Sequence, residues 1–343
     1  MKIAIVGAGA VGGYVGVKLA LAGERVTFLA RGANLEAIRN RGVRLALADE
    51  TELATRDVGV TSDYSEPGPQ DIVILAVKAH QVEAVADDVP KLFGPETVVV
   101  TMQNGIPYWY FHGHGGPLAG RCIHAVDPTG VCLRRIPPDR VIGCVVYPAS
   151  VLEAPGVIRH IEGDRFPVGE LDGSSSKRVQ AVSQCFTRAG FRAPVLENIR
   201  AEIWLKLWGN LTFNPISALT GATLVDICRY PPTRKLAAAM MAEAQAVASR
   251  LGITFRVPIE RRIAGAESVG SHKTSMLQDL EAGRVMETDA LLGSVLELAR
   301  MTETAVPSVE AVYALTKLLG RPTEENRPDG RVLPTCPQPA SAP

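Results

Sequence analysis

The 343-residue sequence has no surplus of either charge: 36 Lys and Arg stand against 36 Asp and Glu. With no global field, nothing draws the chain toward nucleic acid or an anionic membrane surface. Its six cysteines (122, 132, 144, 185, 228 and 336) form no C-x-x-C pair and no finger spacing, and neither another metal motif nor an internal repeat is present. A chain of this size builds a core without disulfides, so the thiols read as reduced and the protein as cytoplasmic. A long uncharged apolar run is missing too. The N-terminus looks at first like an export signal, but Lys18 interrupts it and glycines recur through it, leaving a poor signal core too short to span a bilayer.

What is present is 46% hydrophobic residues, enough for two globular domains with separate cores. Residues 198–215 (NIRAEIWLKLWGNLTFNP) organise the reading. At helical spacing Trp204 and Trp208 share one face, while Lys206, Asn210 and Asn214 follow one another four apart on a second stripe. An ammonium and two carboxamides in a row supply a proton donor and several hydrogen bonds to one small oxygen-rich ligand. The competing reading is a snorkelling lysine beside two solvated amides. Pro215 is expected to close or kink this helix just after Asn214.

Residues 2–6 (KIAIV) read as a buried strand, and Gly7-Ala8-Gly9-Ala10-Val11-Gly12 follows at once, opening a helical pattern that runs to about residue 22. In this context Gly7 permits a tight turn, Gly9 lets the backbone approach a pyrophosphate, and Gly12 lets the helix pack against the strand. That is the fingerprint of a dinucleotide site, set against a glycine turn of purely structural use. A second strand over 25–29 ends in Ala30-Arg31, where an NAD-preferring protein places an acidic residue on the ribose. A guanidinium there grips a 2'-phosphate with two charge-assisted hydrogen bonds, which favours NADP over NAD; an arginine in a solvated loop is the alternative.

Further along, a helix over 34–40, a strand over 43–47 and a strongly apolar central strand over 71–77 are expected, with Lys78 at the last strand's carboxyl end. A strand over 97–102 runs into Gln103-Asn104-Gly105, so two strand ends point at one crevice. Short β-rich runs over 121–126, 140–147 and 157–162 suggest an antiparallel extension of the sheet. A helix over 174–189 and a last strand over 193–196 follow. Helical patterns then cover 233–251, 258–267, 275–282, 287–302 and 308–319. The expected fold is α/β: a Rossmann-type doubly wound sheet with its antiparallel extension over 1–197, then an all-helical domain over 198–320. Residues 321–343 form a Pro-rich tail expected to be disordered. An apolar helical domain makes a homodimer plausible.

Four motifs together resemble the ketopantoate reductases: Gly7-Ala8-Gly9-Ala10-Val11-Gly12, Val77-Lys78, Asn104-Gly105, and the IRAEIWLK core followed by Asn210 and Asn214. A fifth, Ser275-Met-Leu-Gln-Asp279, precedes Glu287. The resemblance spans about residues 1–320. It implies reduction of 2-dehydropantoate to D-pantoate with NADPH, on the pantothenate and coenzyme A route. It further implies that Lys206 is the general acid with Glu287 beside it, that Asn210, Asn214 and Ser275 hold substrate, and that Arg31, Lys78 and Asn104 serve the cofactor side. Two departures stand out. The family pattern TEIDYLNG reads here as Glu287-Thr-Asp-Ala-Leu-Leu-Gly293 within METDALLG, losing a tyrosine and an asparagine. The run Tyr108-Trp109-Tyr110-Phe111 follows Asn104-Gly105 and could shape an acyl pocket, cover the site or pack in a subunit contact. A reductase of another 2-oxo acid, and a non-catalytic NADPH-sensing protein, are the alternatives; the latter has no need of Lys206 with Glu287.

Overall fold

The computed structural model describes residues 1–321, so the expectation of a disordered tail lies almost wholly outside the described residues. The N-terminal part comprises β1 (Lys2–Val6), α1 (Ala10–Leu21), β2 (Arg25–Leu29), α2 (Gly32–Arg41), β3 (Val43–Ala46), β4 (Glu52–Thr55), β5 (Gly59–Thr61), β6 (Gln70–Leu75), β7 (Phe93–Thr101), α3 (Val131–Arg135), β8 (Val141–Cys144), β9 (Ala149–Ala154), β10 (Val157–Glu162), β11 (Val168–Gly169) and α4 (Lys177–Arg188). The helical part comprises α5 (Ile199–Thr220), α6 (Leu224–Arg229), α7 (Pro231–Arg250), α8 (Ile259–Ser268), α9 (Ser275–Glu281), a π-helical segment Asp289–Gly293, α10 (Ser294–Met301) and α11 (Pro307–Leu319).

Seven strands form the main sheet in the order β11-β8-β7-β6-β1-β2-β5, parallel except where β11 meets β8. The central strands are continuous apolar runs because both of their faces are covered. The antiparallel extension is smaller than expected. β9 and β10 leave the main sheet and join β3 and β4 in a separate four-stranded sheet, order β4-β3-β10-β9. Helix α1 lies between the two sheets, and its glycines allow this: a Cβ at Gly16 would overlap Phe28 of the main sheet, while one at Gly13 would press on Ile158 of the small sheet.

Three local expectations fail for identifiable reasons. Residues 121–126 form turns rather than a strand, because the loop closes around the buried carboxylate of Asp127, which accepts the amides of Cys132 and Leu133 at 3.0 Å each. Residues 193–196 make only an isolated bridge, Val195 to Val168. Pro215 neither closes nor ends α5, which continues to Thr220 before Gly221 terminates it in the left-handed region. A proline inside a helix costs about 3 kcal/mol, but residues 211–218 are all buried, and their packing offsets it.

Helix α5 is the axis of the C-terminal lobe. Asn198 caps it by accepting the Ala201 amide at 2.9 Å, and α6, α7, α9 and α11 pack round it. Trp204 and Trp208 are fully buried, and each indole N–H is satisfied, by the Tyr110 hydroxyl at 2.8 Å and the Met241 carbonyl at 2.7 Å. The aromatic run settles its own question here. Tyr108, Trp109, Tyr110 and Phe111 are all buried in the core shared by the two lobes, with Tyr108 donating to the Ile136 carbonyl at 3.1 Å and Trp109 to Thr101 at 3.0 Å. They are too deeply buried to offer a subunit contact, and Trp109 also lines the cleft that holds Lys206 and Asn210.

The lobes also meet beside the carboxyl ends of β6 and β7. Gly105, at φ +88°, lets the chain pass so close to the π-helical segment that a Cβ would overlap the Ala290 carbonyl oxygen, and the Ile106 amide donates to that same oxygen at 3.3 Å. Gly9 is the opposite case, with open space where its Cβ would be. Gly105→Ala should therefore lose about 2 kcal/mol or more of stability, whereas Gly9→Ala should melt within a degree or two of the parent. Thermal unfolding of both variants checks this; indistinguishable melting temperatures would contradict the close approach at Ala290.

Candidate active site

The glycine turn lies at the carboxyl end of β1. A Cβ at Gly7, where φ is +101°, would press on Val77, and one at Gly12 would overlap the Gly7 carbonyl oxygen, so both positions need glycine for steric reasons. Gly9 opens onto solvent space, the first turn of α1 carries no acidic residue, and no side chain caps its amides. Those amides and the helix dipole suit a pyrophosphate. A groove continues from Gly7 and Ala8 past Ala30 and Arg31 to Tyr64 and Asp88. Arg31 is exposed at its edge and forms no ion pair among the described residues. These features fit a dinucleotide with a charged group on its adenosine ribose. Ala10 and Val11 complete the turn as the first residues of α1.

Two residues to which the sequence reading gave no role hold the strand ends and the glycine turn in place. Asn34 donates to the Ala8 carbonyl and accepts the Gly156 amide at 2.7 Å, pinning the glycine turn to the small sheet. Gln103 donates to the carbonyls of Leu75 and Val77 at 2.8 and 3.0 Å, tying the end of β7 to the end of β6. Neither has a sequence signal beyond being an amide beside a strand end or helix start.

Across the crevice, Lys206 points from α5 toward the sheet. Its Nζ donates to Asn104 Oδ1 at 2.7 Å and to the Val146 carbonyl. Asn104 then uses its other end: Nδ2 donates to Glu287 Oε2 at 3.2 Å, and Glu287 Oε1 accepts the Ala79 amide at 3.0 Å. One carboxamide thus stands between the ammonium and the carboxylate, holding both. Expected on the cofactor side, Asn104 is placed at the junction of the pair. The cleft in front is lined by Gln103, Asn104, Pro107, Val146, Lys206 and Asn210.

Farther along the same stripe, Asn214 is buried and its Nδ2 donates to Ser275 Oγ at 3.4 Å, so these two polar groups are together at the junction of α5 and α9. Lys78, expected on the cofactor side of the cleft, lies just beyond the carboxyl end of β6. Its ammonium is committed to Asp279 on α9, which also accepts Arg284 Nε at 2.9 Å, and it does not line the nucleotide groove. Asp279 belonged to a recognised motif, but its use as an inter-lobe anchor depends on a pairing 201 residues apart in sequence.

Burial pushes the Lys206 pKa down to about 8, with the Glu287 carboxylate opposing the fall. The ammonium is therefore mostly present at pH 7 yet able to give up its proton. Because the folded pKa lies below the ordinary value of 10.5, the unfolded chain binds this proton more tightly between about pH 8 and 10.5. This group's contribution to stability thus rises with pH across that window. Glu287→Gln removes the opposing charge, so the Lys206 pKa should fall further below 8. Carbon-13 NMR of the reductively methylated protein reads this directly, and an unchanged or raised value would show that the two groups do not interact.

The family model described as ketopantoate reductase PanE/ApbA matches residues 3–173, and its C-terminal counterpart matches residues 198–320. A 2-dehydropantoate 2-reductase of Mesorhizobium japonicum is 53% identical over 320 residues, covering 93% of this chain and 98% of that protein. The Archaeoglobus fulgidus 2-dehydropantoate 2-reductase is 31% identical over 86% of this chain and 90% of its own length. Among solved structures, a candidate ketopantoate reductase from Ralstonia solanacearum MolK2 superposes with a TM-score of 0.89 at 43% identity, covering 93% of this chain and 97% of that one. A nucleotide groove on a parallel sheet, with the Lys206–Asn104–Glu287 group at the junction with the helical lobe, agrees with these matches over nearly the whole described chain: the protein belongs to the ketopantoate reductase family.

Proposed function

We propose that the protein reduces 2-dehydropantoate to D-pantoate with NADPH, a step toward pantothenate and coenzyme A. The observation that carries this reading is the Lys206 ammonium held 2.7 Å from Asn104, which also holds Glu287, at the mouth of a dinucleotide groove. NADPH supplies the hydride when bound. As that hydride reaches the ketone carbon, negative charge grows on the oxygen, and Lys206 gives it a proton. Asn104 and the Val146 carbonyl fix the ammonium's direction, and Glu287 is itself held by Asn104 and the Ala79 amide. The Glu287 charge keeps Lys206 protonated near neutral pH despite its burial. Asn210, Asn214 and Ser275 hydrogen-bond the substrate's remaining oxygens.

On this reading residues 1–197 hold the cofactor and 198–320 the substrate. Arg31 takes the 2'-phosphate, and the glycine turn from Gly7 to Gly12 takes the pyrophosphate. No helix among the described residues is long and apolar enough to cross a membrane. A cytoplasmic setting is supported by the five free cysteines of the described residues, and a homodimer by the exposed Leu315 and Leu318 of α11.

A panel of 2-oxo acids followed by NADPH absorbance tests the reaction. Ketopantoate should be the best substrate, and simple ketones should be poor; plain ketones turning over as fast as the acids would reject the reading. NADPH should be preferred to NADH, with Arg31→Ala costing NADPH about 1.5 to 3 kcal/mol and sparing NADH. Equal use of both cofactors by the parent would reject the role of Arg31.

Lys206→Arg should retain folding and NADPH binding but lose about 10² to 10⁴ in kcat, since a guanidinium holds its proton too tightly to serve as the acid. In the parent, kcat should fall as pH rises through about 8, where the Lys206 ammonium is lost. Turnover near normal in Lys206→Ala, or a flat profile from pH 7 to 10, would remove Lys206 from the mechanism.

A further inference from the structure

Glu202 lies one turn before Lys206 on the same face of α5. Its side chain is mostly buried, at 14% exposure, and accepts two hydrogen bonds, from the Tyr147 hydroxyl at 2.8 Å and from Arg165 Nη1. Arg165 also stands over the Tyr147 ring, 5.0 Å from its centroid, so the three side chains close a triangle. None of the three lines the cleft that holds Lys206 and Asn210. A carboxylate withdrawn from water in this way is costly to leave unpaired, and here both of its partners come from the sheet side of the lobe junction.

What the triangle holds is the residue before Tyr147, whose carbonyl receives the Lys206 ammonium. In the segment just beyond β8, the amides of Val145 and Tyr147 donate to the carbonyls of Pro167 and Arg165, at 3.0 and 3.2 Å. By the alternation of extended backbone, the peptide groups of Val146 then face the other way, toward α5. That helix takes hold of the segment twice, one turn apart: Lys206 on the Val146 carbonyl and Glu202 on the Tyr147 hydroxyl. The Tyr147 ring lies beside the ammonium, with Lys206 Nζ 6.0 Å from its centroid. Glu202 does not act on Lys206 as a charge. The groups that do are Glu287 and Cys144, while the Glu202 carboxylate is offset by Arg165. Its effect on the lysine is geometric.

We infer that Glu202 and Tyr147 are positioning residues for the general acid, fixing the Val146 carbonyl and through it the direction in which Lys206 presents its proton. An ammonium on a flexible four-carbon stem has three N–H bonds and no preferred direction of its own. Two of those bonds are taken, by Asn104 Oδ1 and by the Val146 carbonyl, and their acceptors aim the third at the ketone oxygen. Each acceptor has a carboxylate behind it. Glu287 holds Asn104 directly, and Glu202 holds Val146 through Tyr147. The inference rests on the reading above in which Lys206 is the proton donor, and it gives that donor a second support outside the Lys206–Asn104–Glu287 chain.

The test uses Tyr147→Phe, which removes one hydroxyl and no charge, beside Glu202→Gln, which keeps an acceptor for that hydroxyl. In single-turnover reactions of the full-length protein with NADPH and ketopantoate, Tyr147→Phe should be about 10- to 100-fold slower than the parent, the scale of a slightly misaimed reacting group. NADPH affinity should be unchanged. Its solvent isotope effect in D2O should rise above the parent's, because the proton, not the hydride, is what has lost its line. Glu202→Gln should lose less rate than Tyr147→Phe, and adding it to Tyr147→Phe should slow the reaction little further, since both act through one contact. A parent-like rate in Tyr147→Phe, or a slower one with the parent's isotope effect, would make the triangle a packing feature and overturn the inference. If Lys206→Ala turns over near the parent's rate, the proton-donor reading fails and this role falls with it. If Lys206→Ala is inactive while Tyr147→Phe is unimpaired, the donor stands and the positioning role alone is rejected.

Discussion

The hydrogen-bond chain from Lys206 through Asn104 to Glu287 is the constraint on which the rest of the molecule depends. Its three members come from α5, from the end of β7 and from the start of the π-helical segment, so the chain exists only while the two lobes are docked. A carboxamide is the side chain suited to the middle position, since it accepts from an ammonium at one end and donates to a carboxylate at the other. It keeps the two charges coupled but apart, so that the attraction steadies the proton on Lys206 without locking it there.

Docking is secured by contacts that leave the cleft open. The Lys78–Asp279 pair, the Ala79 amide on Glu287 and the close passage of Gly105 under Ala290 all lie at one edge of the crevice. The aromatic run at 108–111 supplies the apolar part of the same junction, where each buried ring adds substantial area and Tyr110 satisfies the indole of Trp204. Glycine marks the positions where backbone must approach backbone, at Gly7, Gly12 and Gly105. Gly9 faces open space, which is what a ligand-facing glycine requires.

Helix α5 shows how stability and chemistry share one element. Its apolar faces bury both tryptophans, and the helix continues through Pro215 to Thr220. Lys206 on the same helix is desolvated against the sheet ends, and that desolvation is what moves an ordinary lysine into the range where proton transfer near neutral pH is feasible. The packing of the lobe is thus part of the acid's tuning.

Much of this was legible in local sequence because it follows from local physics. The strand, glycine turn and helix at the N-terminus are dictated by apolar runs and steric need, and Arg31 in place of an acid after β2 is a one-residue observation. Helical periodicity was enough to put Lys206, Asn210 and Asn214 on one stripe of α5. What only the tertiary structure decided are pairings across long sequence separations, because the sequence carries no distance between its ends. Asn104 between two charges and Lys78 turned away from the nucleotide groove to Asp279 both depend on lobe docking. The failed strand at 121–126 belongs to the same class: its β-rich composition was real, but the buried Asp127 carboxylate needed amide donors, and a closed loop supplied them where a strand would not.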